Sequence, residues 1–471
     1  MRTRCADDGA SGAAATRRPA ARNLLLVSID TLRADALGVY GGKRRATRFL
    51  DAFARRSTVF ESAWTHSPKT APAHMSMLTG LPPSVHGVGN LNTEGSQTLS
   101  DDVRLLPEVL HGAGFRTAGF TDGGNMKGTL GFARGFEEFD DEGGAFDVRA
   151  QEVADWIEGA RSGGRPWFCF LHTYAVHDPY LPPQPFVDAF AKDYDGDILH
   201  ERRSIEAAIA RGDDRAPNLT GHDKFVWNYW FRVDESDPDD LEHLHDLYTA
   251  GVAYMDRVIG AFLKQLEDAG VLEDTLVVIT SDHGEEFGEH GGVRHDQLYV
   301  ECTHVPLVVH LPRDLAKGRR IAGTVRHIDL VPSVLELLGV DDDPGALRLG
   351  HSWAGWLRGE ATEDERTVLG EHRSRRRTGL DTFSLREGDL VLHERPVDGD
   401  GARQVFDRAD DPGERKPLDD AAVVNRLAAR LAEERDQLAR LAGTIGPGGA
   451  IELTPELRAE LESLGYLRGD E

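Results

Sequence analysis

The chain has 471 residues, a formal net charge of −26, 40% hydrophobic and 28% charged side chains. So acidic a chain argues against nucleic acid or an anionic membrane surface as partner, because both reward clustered Lys and Arg. No apolar run is long enough to cross a bilayer, and three widely spaced cysteines, Cys5, Cys169 and Cys302, give neither a disulfide framework nor a paired metal site.

Residues 1–22 carry Arg, Ala and Gly but no apolar h-region, and read as a disordered tail rather than a secretory signal. The cytoplasm is then the default location, although a misassigned start codon would hide an export signal. Residues 23–365 are expected to form the main domain, with 186–240 inserted in it, and 366–471 a smaller C-terminal subdomain.

Residues 23–30 (NLLLVSID) form an apolar run without amphipathic period, as in a strand buried on both faces of a parallel sheet. Asp30 then sits at a strand's carboxyl end, where open α/β sheets bind ligands, although an Asp opening the next turn would look the same. Arg33 and Asp35 read as a local ion pair. Residues 47–56 place Phe49, Leu50 and Phe53 at helical spacing, and 59–63 is a short strand leading into 69–80 (KTAPAHMSMLTG). In that stretch Thr70 has N-cap chemistry, Pro72 falls where a missing N–H matters little, and Gly80 with Pro82-Pro83 ends the helix. His74 lies one turn beyond Thr70, close to its hydroxyl and to free N–H groups that attract anions. An ordinary capping threonine with a surface histidine fits the same letters.

Helix 105–111, strand 115–120, helix 153–160 and strand 166–173 continue the alternation and favour a mainly parallel sheet flanked by helices. His172, His177 and Asp178 lie at and after the end of the last strand. Residues 186–240 show weak periodicity and read as an insertion that covers the pocket or sets substrate choice. Residues 241–269 form the clearest helix. Strand 275–280 (TLVVIT) empties into Ser281-Asp282-His283-Gly284-Glu285, and a parallel sheet carries that end to the rim of Asp30. Two carboxylates and an imidazole suit a hard-to-borderline divalent cation. Residues 305–311 read as a strand and 325–338 as a turn and helix. Short strands at 382–385, 390–393 and 403–407 predict a small antiparallel sheet, followed by helices at 421–441 and 456–464.

These residues resemble the sulfatase family of the alkaline phosphatase superfamily from Asn23 to Leu467. The resemblance rests on Asp30, Thr70-Ala-Pro-Ala-His74 with Leu78-Thr-Gly80, His177-Asp-Pro-Tyr180 and Ser281-Asp-His-Gly-Glu285. Pro306, Asp329-Leu-Val-Pro332, Phe406-Asp407 and Asp411-Pro-Gly-Glu414 add to it. It implies an alkaline phosphatase-like α/β fold and one divalent ion (Zn, Mn or Ca) held by Asp30, Asp282 and His283. Thr70 would both bind that ion and attack a small anionic sulfate or phosphate ester. His74, His177 and His295 would surround the ester, as oxyanion stabilisers or as the acid for the leaving group.

The chain also departs from that family. Thr70 stands where sulfatases carry a Cys or Ser that becomes formylglycine, and His74 replaces their Arg. Thr31 stands where many have a second Asp, His295 where they have Lys, and residues 122–125 lack their Gly-Lys pair. Threonine cannot become the hydrated aldehyde, so water must cut its ester. Members of the wider superfamily with a threonine nucleophile include phosphodiesterases, phosphonate hydrolases and phosphoethanolamine transferases, which makes phosphorus a serious alternative to sulfur. A headgroup transferase would be expected to carry a membrane anchor. A catalytically silent binding protein would not be expected to keep Asp30, Thr70, Asp282 and His283 together.

Overall fold

The apolar runs assemble into one large sheet. In the computed structural model, which describes residues 19–91, 97–191, 194–219, 221–373, 381–395 and 402–451, the first strands are β1 (Asn23–Ile29), β2 (Thr58–Trp64), β3 (Arg116–Phe120), β4 (Glu138–Asp140) and β5 (Trp167–Thr173). There follow β6 (Thr275–Thr280), β7 (Glu286–Phe287), β8 (Val293–Arg294), β9 (Leu307–His310) and β10 (Arg320–Arg326). β7 and β8 form a hairpin of their own, and the other eight lie in the order β10-β2-β9-β6-β1-β5-β3-β4. Only β9 runs against its neighbours β2 and β6, so the expectation of a mainly parallel sheet holds.

β1 shows why its sequence lacks a period. Leu24 and Leu26 enter one core, Leu25, Val27 and Ile29 the other, so both faces of the strand are buried. The first core takes Met75, Met77 and Leu78 from helix Thr70–Thr79 and Val331, Val334 and Leu335 from helix Leu330–Leu338. The second takes Leu244, Leu247, Met255, Ile259 and Phe262 from helix Pro238–Asp268. Each fully buried leucine or phenylalanine contributes about 1.5–3 kcal/mol, so these helices hold the sheet from both sides. Ala20 and Ala21 also pack in the first core, and the Ala20 N–H bonds to the Leu337 carbonyl at 2.8 Å. The chain therefore joins the core before Asn23, while residues 1–18 of the expected tail lie outside the described residues.

Local readings shift in three places. Residue 325 belongs to β10, whose charged ends Arg320 and Arg326 hid an edge strand. The strand read at 305–311 shrinks to Leu307–His310, because Pro306 has no N–H for the ladder. Residues 186–240, read as an insertion, take in most of helix Gln184–Phe190 and the helices Arg202–Ala210 and Gly221–Trp230, each of fewer than about three turns.

β11 (Val368–His372), β12 (Thr382–Glu387), β13 (Leu390–Arg395) and β14 (Ala402–Asp407) form the small antiparallel sheet. Helix Ala421–Ala442 covers it, bringing Leu427, Leu431 and Leu438 to Leu385, Leu392 and Val405. β11 braces the approach to Thr70: the Glu371 N–H donates to the His66 carbonyl at 2.8 Å, and His66 Nδ1 lies 2.7 Å from the Leu369 carbonyl. The helix read at 456–464 lies outside the described residues. Among those residues no helix is long and apolar enough to cross a membrane.

Candidate active site

Three adjacent parallel strands bring the polar residues together. β1 pairs Ser28 with His172 of β5 on one side and with Thr280 of β6 on the other. The residues following these strands therefore leave the sheet at one rim. Asp30, His172, Asp282 and His283 are all buried there.

In three of these side chains one part is committed and the other is not. Asp282 Oδ1 accepts the N–H groups of His283 at 2.9 Å and Thr31 at 3.3 Å. Asp30 Oδ2 lies 3.3 Å from His172 Nε2. His283 Nδ1 lies 3.0 Å from the Gly284 carbonyl, which places its proton there and leaves a lone pair on Nε2. The remaining atoms, Asp30 Oδ1, Asp282 Oδ2 and His283 Nε2, are buried without a hydrogen-bond partner. His283 Nε2 is 3.3 Å from Asp282 Oδ2 and 4.0 Å from Asp30 Oδ1, and one ligand atom from each residue lies within 4.8 Å of the others.

Acceptors converging on one another in a buried site are unfavourable unless a cation lies between them. The ionisation of the pair has the same cause. Burial and then the charge of Asp30 push the Asp282 carboxyl well above the usual range. Burial acts on Asp30 too, but the His172 hydrogen bond and the nearby His177 and His283 hold its carboxyl far below that range. Without a cation, two such carboxylates cannot both carry charge cheaply. The donor set fits a divalent metal.

Thr70 stands beside this cluster. His74 Nδ1 lies 2.9 Å from the Thr70 carbonyl and 3.5 Å from Asp282 Oδ2. The N-cap residue is Lys69, at φ −133° and ψ 138°, and Thr70 is the first helical residue, so the capping role read from the sequence moves back by one. The expected free N–H groups are mostly taken. Ala71 donates to Asn90 Oδ1 at 3.0 Å, Ala73 donates to the Lys69 carbonyl, and Pro72 has no N–H. Positive charge for an anion must therefore come from side chains and from the metal position rather than from the helix end.

The three expected catalytic histidines occupy two different places. His74 is fully buried, with Nε2 2.8 Å from Ser28 Oγ, and burial followed by the charge of His172 keeps it neutral. It sits between Thr70 and Asp282 as a support. His177 and His295 lie at the open side with rings 5.2 Å apart, and the His295 ring is 4.6 Å from that of His283. His177 Nδ1 is 2.7 Å from the Asp178 carbonyl, and Nε2 is 4.0 Å from Asp30 Oδ1. His295 Nδ1 is 3.0 Å from Glu285 Oε1. Burial works against a charged His177, but Asp178, Asp30 and Glu285 raise its proton affinity above the ordinary value. Burial, Lys69 and His177 push His295 down to about 3. One imidazole is thus suited to carry a proton, and the other stays neutral.

Sequence reasoning grouped His172 with His177 and Asp178 at a strand end and quoted Glu285 within the motif at 281–285, but did not single out Asn90, which had no local signal. Trp230 also enters the site, its Nε1 donating to Asp178 Oδ2 at 2.8 Å, so the inserted helices wall the histidine side. Thr31 adopts φ 58° and its buried hydroxyl has no partner; a second Asp is absent from that position.

A family model described as Sulfatase matches residues 22–340. The N-acetylglucosamine-6-O-sulfatase of Bacteroides thetaiotaomicron is 24% identical over 393 residues, 69% of each chain. The N-sulphoglucosamine sulphohydrolase of Homo sapiens is 29% identical over 329 residues, 68% of this chain and 61% of that protein's length. Among solved structures, the phosphonate monoester hydrolase of Agrobacterium radiobacter superposes with a TM-score of 0.68 at 21% identity, covering 89% of this chain and 96% of that one. A protein solved with its substrate D-glucosamine-2-N,6-O-disulfate gives 0.71 at 19%, covering 90% and 98%.

Proposed function

The chain belongs to the sulfatase family, and from that premise we propose that it is a metal-dependent hydrolase of sulfate or phosphate esters that carries the transferred group on Thr70. The observation behind this reading is the convergence of Asp30 Oδ1, Asp282 Oδ2 and His283 Nε2, all unpartnered and buried, beside a threonine at a helix start. Asp30, Asp282 and His283 would hold the cation. When bound, it supplies charge that lowers the pKa of the Thr70 hydroxyl and neutralises ester oxygens.

Thr70 Oγ, its proton released to solvent, attacks sulfur or phosphorus, and the bond to the leaving alcohol oxygen breaks. His177 Nε2 donates the proton that this oxygen needs, in keeping with its raised proton affinity. His177, left neutral by that donation, takes a proton from the water that attacks the Thr70 ester, and His295, neutral and oriented through Nδ1 by Glu285, lines the same side. The water oxygen bonds to sulfur or phosphorus as the bond to Thr70 Oγ breaks, the sulfate or phosphate product leaves, and Oγ takes a proton from solvent to restore the hydroxyl. An unmodified threonine has no second hydroxyl for elimination, so the second step is hydrolysis. The names of the two curated relatives add sulfated amino sugars to the substrates worth assaying.

The test is a panel of nitrophenyl sulfate, nitrophenyl phosphate, bis(nitrophenyl) phosphate and glucosamine 6-sulfate, assayed with Zn, Mn, Ca or Mg restored after chelation. Thr70→Ala is expected to remove turnover of whichever ester is accepted, and peptide mapping of quenched wild-type reactions should find the adduct on residues 69–80. Wild-type rates in Thr70→Ala would sink the nucleophile assignment. Absence of any metal uptake would favour a binding protein instead.

A further inference from the structure

Beside the ester site one guanidinium makes no direct ion pair. Arg294 ends β8 and directly precedes His295. Among the described residues no carboxylate lies within ion-pairing distance of it, and its Nε is buried without a hydrogen-bond partner. This is unexpected in a chain with 80 acidic and 54 basic residues. Other arginines near the rim are tied to carboxylates, Arg33 to Asp35 and Glu289 and Arg149 to Asp140 and Glu152.

Aromatic faces hold Arg294 instead. Its guanidinium carbon lies 4.1 Å from the ring centroid of Trp230 and 5.3 Å from that of Trp227. A contact with a ring face uses the flat side of the group, whereas its N–H donors point outward in the plane, where they can take an oxyanion in a forked pair. Asp178 lies near enough to feel the Arg294 charge: burial would raise its carboxyl, and His177 and then Arg294 hold it down, but its oxygens are turned elsewhere. Its Oδ2 accepts the Trp230 Nε1–H at 2.8 Å and its Oδ1 lies 3.3 Å from His177 Nδ1. The Arg294 backbone is held at φ 70° by pairing with Glu286 and by the Cys302 thiol on its carbonyl. A left-handed conformation is unfavourable for a residue with a side chain, and these two contacts maintain it. Trp230, Asp178 and His177 form one chain of contacts, so the guanidinium belongs to the wall on the leaving-group side.

We propose that Arg294 binds a second oxyanion, a carboxylate or sulfate carried by the alcohol part of the ester, so that the substrates of this site are esters with two anionic groups. The proposal rests on the reading of the Thr70 site only for the place of the first anion.

Titration calorimetry on the full, metal-loaded chain tests it without turnover. The probes are phenylphosphonate against 3-carboxyphenylphosphonate, and benzenesulfonate against 3-carboxybenzenesulfonate. The wild type is expected to bind the carboxylated member of at least one pair about 10- to 100-fold more tightly, the range of a charge-assisted hydrogen bond. Arg294→Met, which keeps an unbranched stem against the indoles, should erase that preference. Equal affinities in the wild type, a preference that survives in Arg294→Met, or no measurable binding of any probe would each overturn the proposal. Should Arg294→Met fail to fold, Arg294→Lys replaces it: a weakened preference supports the fork, and an unchanged one overturns it. Nitrophenyl ester turnover is measured in parallel. Preferential binding without hydrolysis of any ester would support the Arg294 site while sinking the hydrolase reading.

Discussion

Replacing Asp282 by Asn should stabilise the chelated protein and at the same time abolish its response to metal. Asp30 and Asp282 each direct an unpartnered oxygen into a buried space within 4.8 Å of one another. Two unit charges at that distance repel by about 3.5 kcal/mol at an effective dielectric constant near 20, and partial protonation of Asp282 in the native state reduces but does not abolish the cost. Asn at 282 keeps the oxygen that accepts the His283 and Thr31 N–H groups and turns an amide donor towards Asp30. The sign follows from linkage: a carboxyl whose folded pKa is raised destabilises the native state increasingly as pH rises above its unfolded value. Asp282→Asn should therefore gain roughly 1–3 kcal/mol at pH 7 after chelation, read as a higher melting temperature by scanning calorimetry. In the wild type, metal at about 100 times its Kd should add about 2.7 kcal/mol, and in Asp282→Asn little of that should remain. A chelated variant that melts lower than wild type, with a metal-induced rise of wild-type size, would refute the convergence of charge on which the site rests.

His177→Gln should lower kcat for alkyl esters about 10²- to 10⁴-fold, the usual contribution of a positioned acid, and much less for nitrophenyl esters whose leaving group needs no proton; equal losses on both would rule out the acid role. Because neighbouring carboxylates raise the proton affinity of His177, wild-type activity on alkyl esters should fall as pH rises through its raised pKa, and the pH–rate profile of the variant should lack that limb. In the C-terminal sheet, burial would raise Glu414, yet His393 at 2.9 Å and Arg386 at 2.9 Å bring it down to about 2. Its contribution of about 3 kcal/mol should be complete above pH 4.5 and lost as pH falls towards 2. Glu414→Gln, which strands Arg386 and Arg408, should cost about 3–5 kcal/mol at pH 7; thermal melts matching wild type at that pH would contradict the buried network.

Much of the site was legible because its residues are local to strand ends. Asp30, Asp282 and His283 follow apolar runs whose side chains are buried on both faces, and a ligand at such an end is a pattern a single sequence carries. Thr70 was legible in the same way, as a hydroxyl next to Pro72 before an apolar helix, but its place in that helix was not: whether residue 69 or 70 caps depends on backbone angles that either residue can adopt. The weakly periodic insertion gave no hint that Trp230 reaches Asp178 across 52 residues, since an indole donor looks the same in a core and in a wall.

By itself, then, the sequence determined the class of fold and the family, and it picked out the residues proposed here as metal ligands and nucleophile, because strand burial and motif spacing act over a few neighbouring residues. Tertiary structure alone decided which atoms of those groups remain unpaired, that His74 is buried on Ser28 while His177 and His295 lie together on the other side of the cluster, that Asn90 takes the Ala71 amide, and that Arg294 rests on two indoles. Those outcomes depend on contacts between segments as much as 251 residues apart, as between Thr31 and Asp282. Which lone pair finds a donor is a property of the packed whole.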